Sequence, residues 1–326
     1  MTHPTKNQYK VHQQTVCGKL QESERKRYQR KGYGLIFALI QFLAFFIGVP
    51  VVARTVWPSV LEWKAHQELS YTSFFLVWTL TQHNLIHLIA NTIYYIYYRC
   101  EFPCIERYKT NWEEPWPWHT DPQAWREQIR KAVPVFLFNS NVMVALMFLT
   151  LEATGQLEEH DMLEKSLPTA SVLMASVFFC MICEDFTFYW MHRLLHQPCL
   201  YPYVHKMHHQ FTQTVSIAAE YSHPLEFVLG NLIPTSVGPL ILGPKMHIVT
   251  VFAWYFVRVC ETLDGHCGYE FSFSPYRLIP MSGSAEYHDY HHSRNIGNYA
   301  SFFSVWDTVF GTNASFNHRS DQKKRM

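Results

Sequence analysis

The sequence predicts an all-α, integral membrane helical bundle with a cytosolic-side histidine-rich metal-binding cap. Three observations lead there. Apolar stretches of membrane-crossing length recur along the chain. Residues are 48% hydrophobic and 16% aromatic but only 16% charged, a membrane composition rather than that of a soluble domain. Eight of the nineteen histidines fall into three compact clusters, His192-x3-His196, His205-x2-His208-His209 and His288-x2-His291-His292. The net charge of +1 gives no reason to expect a nucleic-acid partner.

Taken in order, residues 1–32 are polar and basic, ending in Arg25, Lys26, Arg27, Arg30 and Lys31. They hold no apolar core, so a cleavable leader is not expected and the first apolar stretch should serve as an uncleaved anchor. A helix needs about 20 apolar residues to cross a bilayer. Tyr33–Ala53, Tyr71–Tyr98, Val133–Leu151 and Thr169–Met191 meet that length. The region from Leu225 to Leu263 is apolar but broken by Pro234, Gly238, Pro239, Gly243 and Pro244, which predicts a helical hairpin that spans or re-enters. The resulting division is 1–32, a basic segment; 33–132, a hairpin and its loop; 133–316, the catalytic domain; and 317–326, a basic tail.

Orientation follows from Lys and Arg near the span ends. Arg99, Arg107, Lys109, Arg126, Arg130 and Lys131 crowd the second loop, whereas the first holds only Arg54 and Lys64. The third sets Lys165 among Glu158, Glu159, Asp161 and Glu164. This bias places both termini and all three clusters in the cytosol. The sequon at Asn313 should then be unmodified. The end Lys323-Lys324-Arg325-Met326 is similar to a dilysine retrieval signal of the endoplasmic reticulum membrane. The eight cysteines form no short-loop framework, and Cys180 and Cys183 read as small core residues.

The clusters carry the chemistry. Positions three or four apart share one helical face, so each cluster is expected to project together. Eight imidazoles suit two metal ions, each with a position left open, and imidazole accepts iron, copper, zinc or nickel. Glu184, Asp185 and Asp289 stand beside the clusters, where carboxylates orient ligating rings and balance metal charge. His266, closing Glu261-Thr-Leu-Asp264-Gly-His266, is a candidate ninth ligand, and His223 reads as a loop histidine. His83 and His87 share a face of the second span with Asn84 and Asn91 nearby, polar groups that serve either function or helix-to-helix bonding. No nucleophile elbow, dinucleotide-binding glycine loop or haem-type cysteine motif occurs, so electrons for redox chemistry must come from another protein.

In order and spacing these residues resemble the fatty acid hydroxylase and sterol desaturase superfamily of membrane non-haem di-iron enzymes. Within it they are most similar to the sterol 4-methyl oxidases, or methylsterol monooxygenases. The resemblance rests on Glu184-Asp185, the three boxes, Ala219-Glu220-Tyr221-Ser-His223-Pro224-Leu225-Glu226, Glu261 to Tyr269, Ile296-Gly297-Asn298-Tyr299-Ala300-Ser301, Trp306-Asp307 and Phe310-Gly311-Thr312. It covers roughly residues 133–316. It implies two irons held by His192, His196, His205, His208, His209, His288, His291 and His292, with His266 close by. It also implies O2 as co-substrate, electrons from NAD(P)H through cytochrome b5 and its reductase, and a sterol 4-methyl group oxidised through alcohol and aldehyde to carboxylate. A sterol dehydrogenase-decarboxylase would act next. Gln197 and Tyr287 stand where that group commonly has further histidines. Alternatives are a superfamily hydroxylase or desaturase acting at another position, a histidine-rich metal transporter with ligands lining a mid-bilayer path, or a non-catalytic scaffold.

Overall fold

The computed structural model describes residues 32–325 apart from 113 and 158, with side chains to Ser320. Segment 1–31 and the side chains of the terminal Lys323, Lys324, Arg325 and Met326 lie outside the described residues, so the N-terminal basic cluster and the retrieval motif carry no structural account. The longer helices are α1 (Gly32–His66), α2 (Tyr71–Cys100), α3 (Pro122–Ala153), α4 (Ala170–Leu195), α5 (Pro224–Lys245), α6 (Ile248–His266), α7 (Ala285–Arg294) and α8 (Ala314–Arg325). Among the described residues there are isolated β-bridges but no strands. The helical bundle is as expected.

Four of these helices are long and apolar enough to cross a membrane: α1, α3, α4 and α5. Two boundaries differ from the sequence reading. α1 continues past Ala53 to His66, running through Pro50 and Pro58. α2, expected as a span, is long at 30 residues but falls outside that apolar set. The cause is a polar stripe of Thr79, Gln82, His83 and His87, residues at three- and four-residue steps that the bundle turns inward. Lipid-facing surface is apolar in return, with Phe37 on α1, Leu88 on α2, Ile182 on α4 and Ile241 on α5 all more than half exposed.

The hairpin forms as α5 and α6, and its depth is set by contacts at its tip. Asp161, in the loop before α4, donates its N–H to Pro244 at 3.2 Å and accepts from Ile248 N–H at 2.8 Å. The other end of α6 reaches the histidines that follow α4. The hairpin thus runs the full length of α4 rather than dipping partway. Close packing of α5 on α4 depends on Gly238, whose absent Cβ would lie 2.7 Å from Cys180 Cα. Cys180 is fully buried and Cys183 partly so, as small core residues are.

Two apolar clusters hold the bundle. One lies within the helices, around Phe74, Phe75, Leu173, Val177, Phe252 and Trp254. The other caps the histidine end, built on Tyr98, Tyr108, Trp116, Phe211, Tyr269 and Phe271. The loop after α2 clamps the turn after α6, with Thr110 N–H donating to Gly268 O at 2.9 Å and Glu270 N–H to Tyr108 O at 2.7 Å. Gly268 sits at φ +71°, and a Cβ there would approach Thr214 O to 2.6 Å, so this turn needs glycine.

Candidate metal centre

All nine candidate histidines converge at the end of α4, and they do so as two cages. His192, His196, His205, His209 and His291 form one; His208, His266, His288 and His292 form the other. The assortment corrects the one-face expectation. Each i,i+4 pair (192/196, 205/209, 288/292) stays within one cage, while the i+3 members His208 and His291 cross over. Steps of three and four residues differ by about 100° around a helix, enough to aim neighbouring rings at different centres. On the tighter turn His205–Gln210 the same division holds.

Ring orientation shows what the cages can hold. Six Nδ1 atoms face acceptors: His192 to Tyr299 O at 2.8 Å, His208 to Tyr221 O at 3.2 Å, His266 to Thr262 O at 2.8 Å, His291 to Gly297 O at 2.6 Å, His292 to Phe211 O at 2.9 Å and His205 to Glu226 Oε1 at 2.8 Å. Acceptors of this kind place the ring proton on Nδ1 and turn each Nε2 lone pair inward. The Nε2 atoms of His208 and His266 then meet at 3.4 Å with no proton between them. Others lie at 2.9 Å (His196–His205, His266–His288) and 3.2 Å (His196–His291). Ligands about 2.1 Å from one ion are spaced about 3.0 to 3.4 Å apart. The two lone pairs of His208 and His266 repel unless a cation lies between them, and the ring-nitrogen spacings in both groups match those of ligands around one ion, so these residues fit a metal in each cage.

Burial, reinforced by neighbouring imidazoles, pushes His196 down to about 2 and His208 to about 4. It holds His205, His209, His291 and His292 well below the usual histidine range. These rings are therefore neutral at neutral pH, the ligating form.

The three expected carboxylates act on backbone and on arginine, not on ring nitrogens. Asp185 accepts from Ser301 N–H at 3.0 Å and Phe303 N–H at 3.1 Å, fixing the loop whose Tyr299 carbonyl holds His192. Asp289 accepts from Thr214 N–H and Oγ1 at 3.0 and 2.9 Å. Glu184 pairs with Arg258 Nε at 2.6 Å, and Arg258 also bonds Glu261 at 2.8 Å. The carboxylate that orients a cage ring is Glu226, which closes the Ala219–Glu226 segment of the resemblance but to which the sequence alone assigns no role. Glu226→Ala is expected to lower affinity for the ion near His205 by about 10- to 100-fold, measured by chelator competition. Unchanged affinity would remove Glu226 from the metal site.

His223 caps α5, its Nδ1 accepting from Leu225 N–H at 3.2 Å, and lies outside both histidine cages. Of the two departures, Gln197 lies apart on an exposed bond to Arg193 O, whereas Tyr287 lines the cavity beside the cages. Asn313 is 6% exposed and donates to Thr308, a poor glycan acceptor. That cavity, bordered by His192, His208, His266, Arg258, Ser284 and Asn231, adjoins a second one between α2, α3, α5 and α6. The two share Asn231, Arg258 and Thr262. The nine candidate histidines gather at one end of the bundle, unlike ligands lining a transporter's path through mid-bilayer.

Fold and site together define a membrane-embedded helical bundle with two adjoining histidine cages at one end. A family model for fatty acid hydroxylases matches residues 177–312. The chain is similar to methylsterol monooxygenase 1 of Gallus gallus, 39% identical over 50% of this chain and 54% of that one. A putative methylsterol monooxygenase of Dictyostelium discoideum is 36% identical over 64% of this chain and 76% of its own. A very-long-chain aldehyde decarbonylase of Oryza sativa subsp. indica is 40% identical over 46% and 56%. The chain belongs to the fatty acid hydroxylase family and stands near its methylsterol monooxygenases. It spans about half the length of several curated relatives it matches. No solved structure matches it at a significant level.

Proposed function

We propose that the chain is an oxygen-dependent oxidoreductase that oxidises a sterol 4-methyl group. The observation that carries this is the pair of Nε2 cages facing a cavity that adjoins an intramembrane one, a route by which a membrane-dissolved substrate can reach the centre. The relatives named methylsterol monooxygenase support the sterol and the methyl position. Iron in both cages would supply the binding and reduction of O2. The protein's share is positional. Glu226 and five backbone carbonyls fix six rings before any metal binds. Phe188, Leu195 and Ala219 line the cavity beside them and exclude water from the reacting carbon. Arg258, held by Glu184 and Glu261, fixes a charge-compensated polar cluster at the cavity wall.

In this reading Glu184, Asp185 and Asp289 are positioning residues rather than groups that touch substrate. Electrons come from NAD(P)H through cytochrome b5 and its reductase, and a sterol dehydrogenase-decarboxylase takes the carboxylate product. The enzyme sits in the endoplasmic reticulum membrane with both termini cytosolic, and residues 133–316 form its catalytic unit. Sterol profiling of cells lacking the chain tests this. Accumulated 4-methyl or 4,4-dimethyl sterols are expected. Accumulation of an intermediate altered at another carbon would reassign the position.

A further inference from the structure

We propose that His83 and Glu220 form a hydroxyl-binding site in the intramembrane cavity, so that the substrate is an apolar lipid with a hydroxyl close to the carbon oxidised. This deepens the proposed function and rests on it for the identity of the lipid. The second cavity is mostly apolar, walled by Ile86, Val144, Met147, Phe148 and Phe227, yet α2 presents Thr79, Gln82 and His83 to it on one helical face. Glu220 faces that stripe, with Oε2 at 2.9 Å from His83 Nε2 and Oε1 at 3.2 Å from His87 Nε2. Burial alone would raise the Glu220 carboxyl, but the two imidazoles outweigh it and hold the group well below the usual carboxylate range. It is thus an ionised acceptor with lone pairs beyond those His83 uses. The Thr79 hydroxyl is buried without a hydrogen-bond partner among the described residues, which apolar surroundings do not favour unless a polar ligand group comes near.

The position of this anchor selects among substrates. Segment 219–222 is the partition between the two cavities, with Ala219 and Ser222 on the histidine side and Glu220 on the membrane side. Asn139, on the π-turn of α3, clamps it by donating to Ser222 O at 2.9 Å. The next residue, Tyr221, gives its carbonyl to His208. Carboxylate and cage therefore lie on opposite sides of one strip of backbone, and the two cavities meet at Asn231, Arg258 and Thr262, so a substrate held at Glu220 can present a nearby carbon to the cages. A third metal site fits less well. His83 and His87 have no Nδ1 anchor like those of the cage rings among the described residues, so their Nε2 atoms are free to carry protons toward the carboxylate.

The test is binding to the full chain in nanodiscs, using a 4-methyl sterol with a free 3-hydroxyl and its 3-methyl ether. The free hydroxyl should bind roughly 10- to 100-fold tighter. Glu220→Leu and His83→Phe should each shrink that preference to within about twofold while the cages keep their metal. Equal binding of both probes by the unmodified chain overturns the proposal, as does an undiminished preference in either variant. A third metal equivalent in the unmodified chain that Glu220→Leu removes also overturns it. Accumulated 4-methyl sterols in cells without any hydroxyl preference would sink the anchor alone. A hydroxyl preference without that accumulation would sink the 4-methyl assignment alone.

Discussion

Alanine at His291 is expected to empty the five-histidine cage while the four-histidine cage stays filled, so that bound metal falls from two equivalents to one. The converse substitution, His208→Ala, should empty the other cage and leave the first. Loss of a partner that merely orients a ligand costs about 10- to 100-fold, so loss of a ligand itself should lower turnover at least ~100-fold. Neither change touches the bilayer-facing helices, and membrane insertion should be unaffected. The contrast with His223→Ala separates ligation from folding. That ring only caps α5, so its loss should cost about 1 kcal/mol and leave metal content alone. Metal counting on the three purified variants decides the matter. Retention of two equivalents in His291→Ala, or equal metal loss in all three, would contradict the cage assignment.

This partition was only half legible in the sequence. Helical spacing picks out eight of the candidate histidines, because residues three or four apart lie close along a helix, while His266 stands alone at the end of Glu261-Thr-Leu-Asp264-Gly-His266. Spacing does not say which centre a ring serves. His208 lies beside His209 in sequence yet belongs with His266, and the reason is tertiary: the Tyr221 carbonyl turns one ring and the crossing of α6 supplies the partner. Glu226 stands in the resembling motif without a legible role for the same cause, since that role exists only once the start of α5 packs beside His205. α2 is legible by length more than by composition. Its length reads as a span, but its polar stripe, explained by Glu220 across the cavity, keeps it out of the strongly apolar set. The hairpin was readable from its prolines and glycines, while its full depth depended on the contact of its tip with Asp161. The tryptophan-rich loop gave no functional motif because its work is structural. Trp116 is fully buried, donates to Glu106 at 3.1 Å and stacks on Trp118, closing the cap over the turn that carries His266.

The largest stability effect should come from Arg258. Its guanidinium is 5% exposed and lies between Glu184, which is fully buried, and Glu261 at 9%, and it also bonds Thr262. Two carboxylates so deep in a bundle are tolerable only because a cation with a planar fork meets both. Arg258→Met keeps the apolar length of the side chain but leaves those carboxylates facing each other without compensation, a loss of about 3–5 kcal/mol. Lysine offers one compact charge in place of the fork and should restore only part of this. The decisive comparison is Glu184→Gln/Arg258→Met/Glu261→Gln, which removes all three charges. If the cluster's effect is mutual compensation, the triple variant should unfold nearer to the unmodified chain than Arg258→Met does. If instead Arg258 acts through its packing on Phe188 and Phe302, whose ring centres lie 5.5 and 5.9 Å away, the triple variant should be no better than the single one. Thermal unfolding in one detergent, with metal content matched, distinguishes these outcomes.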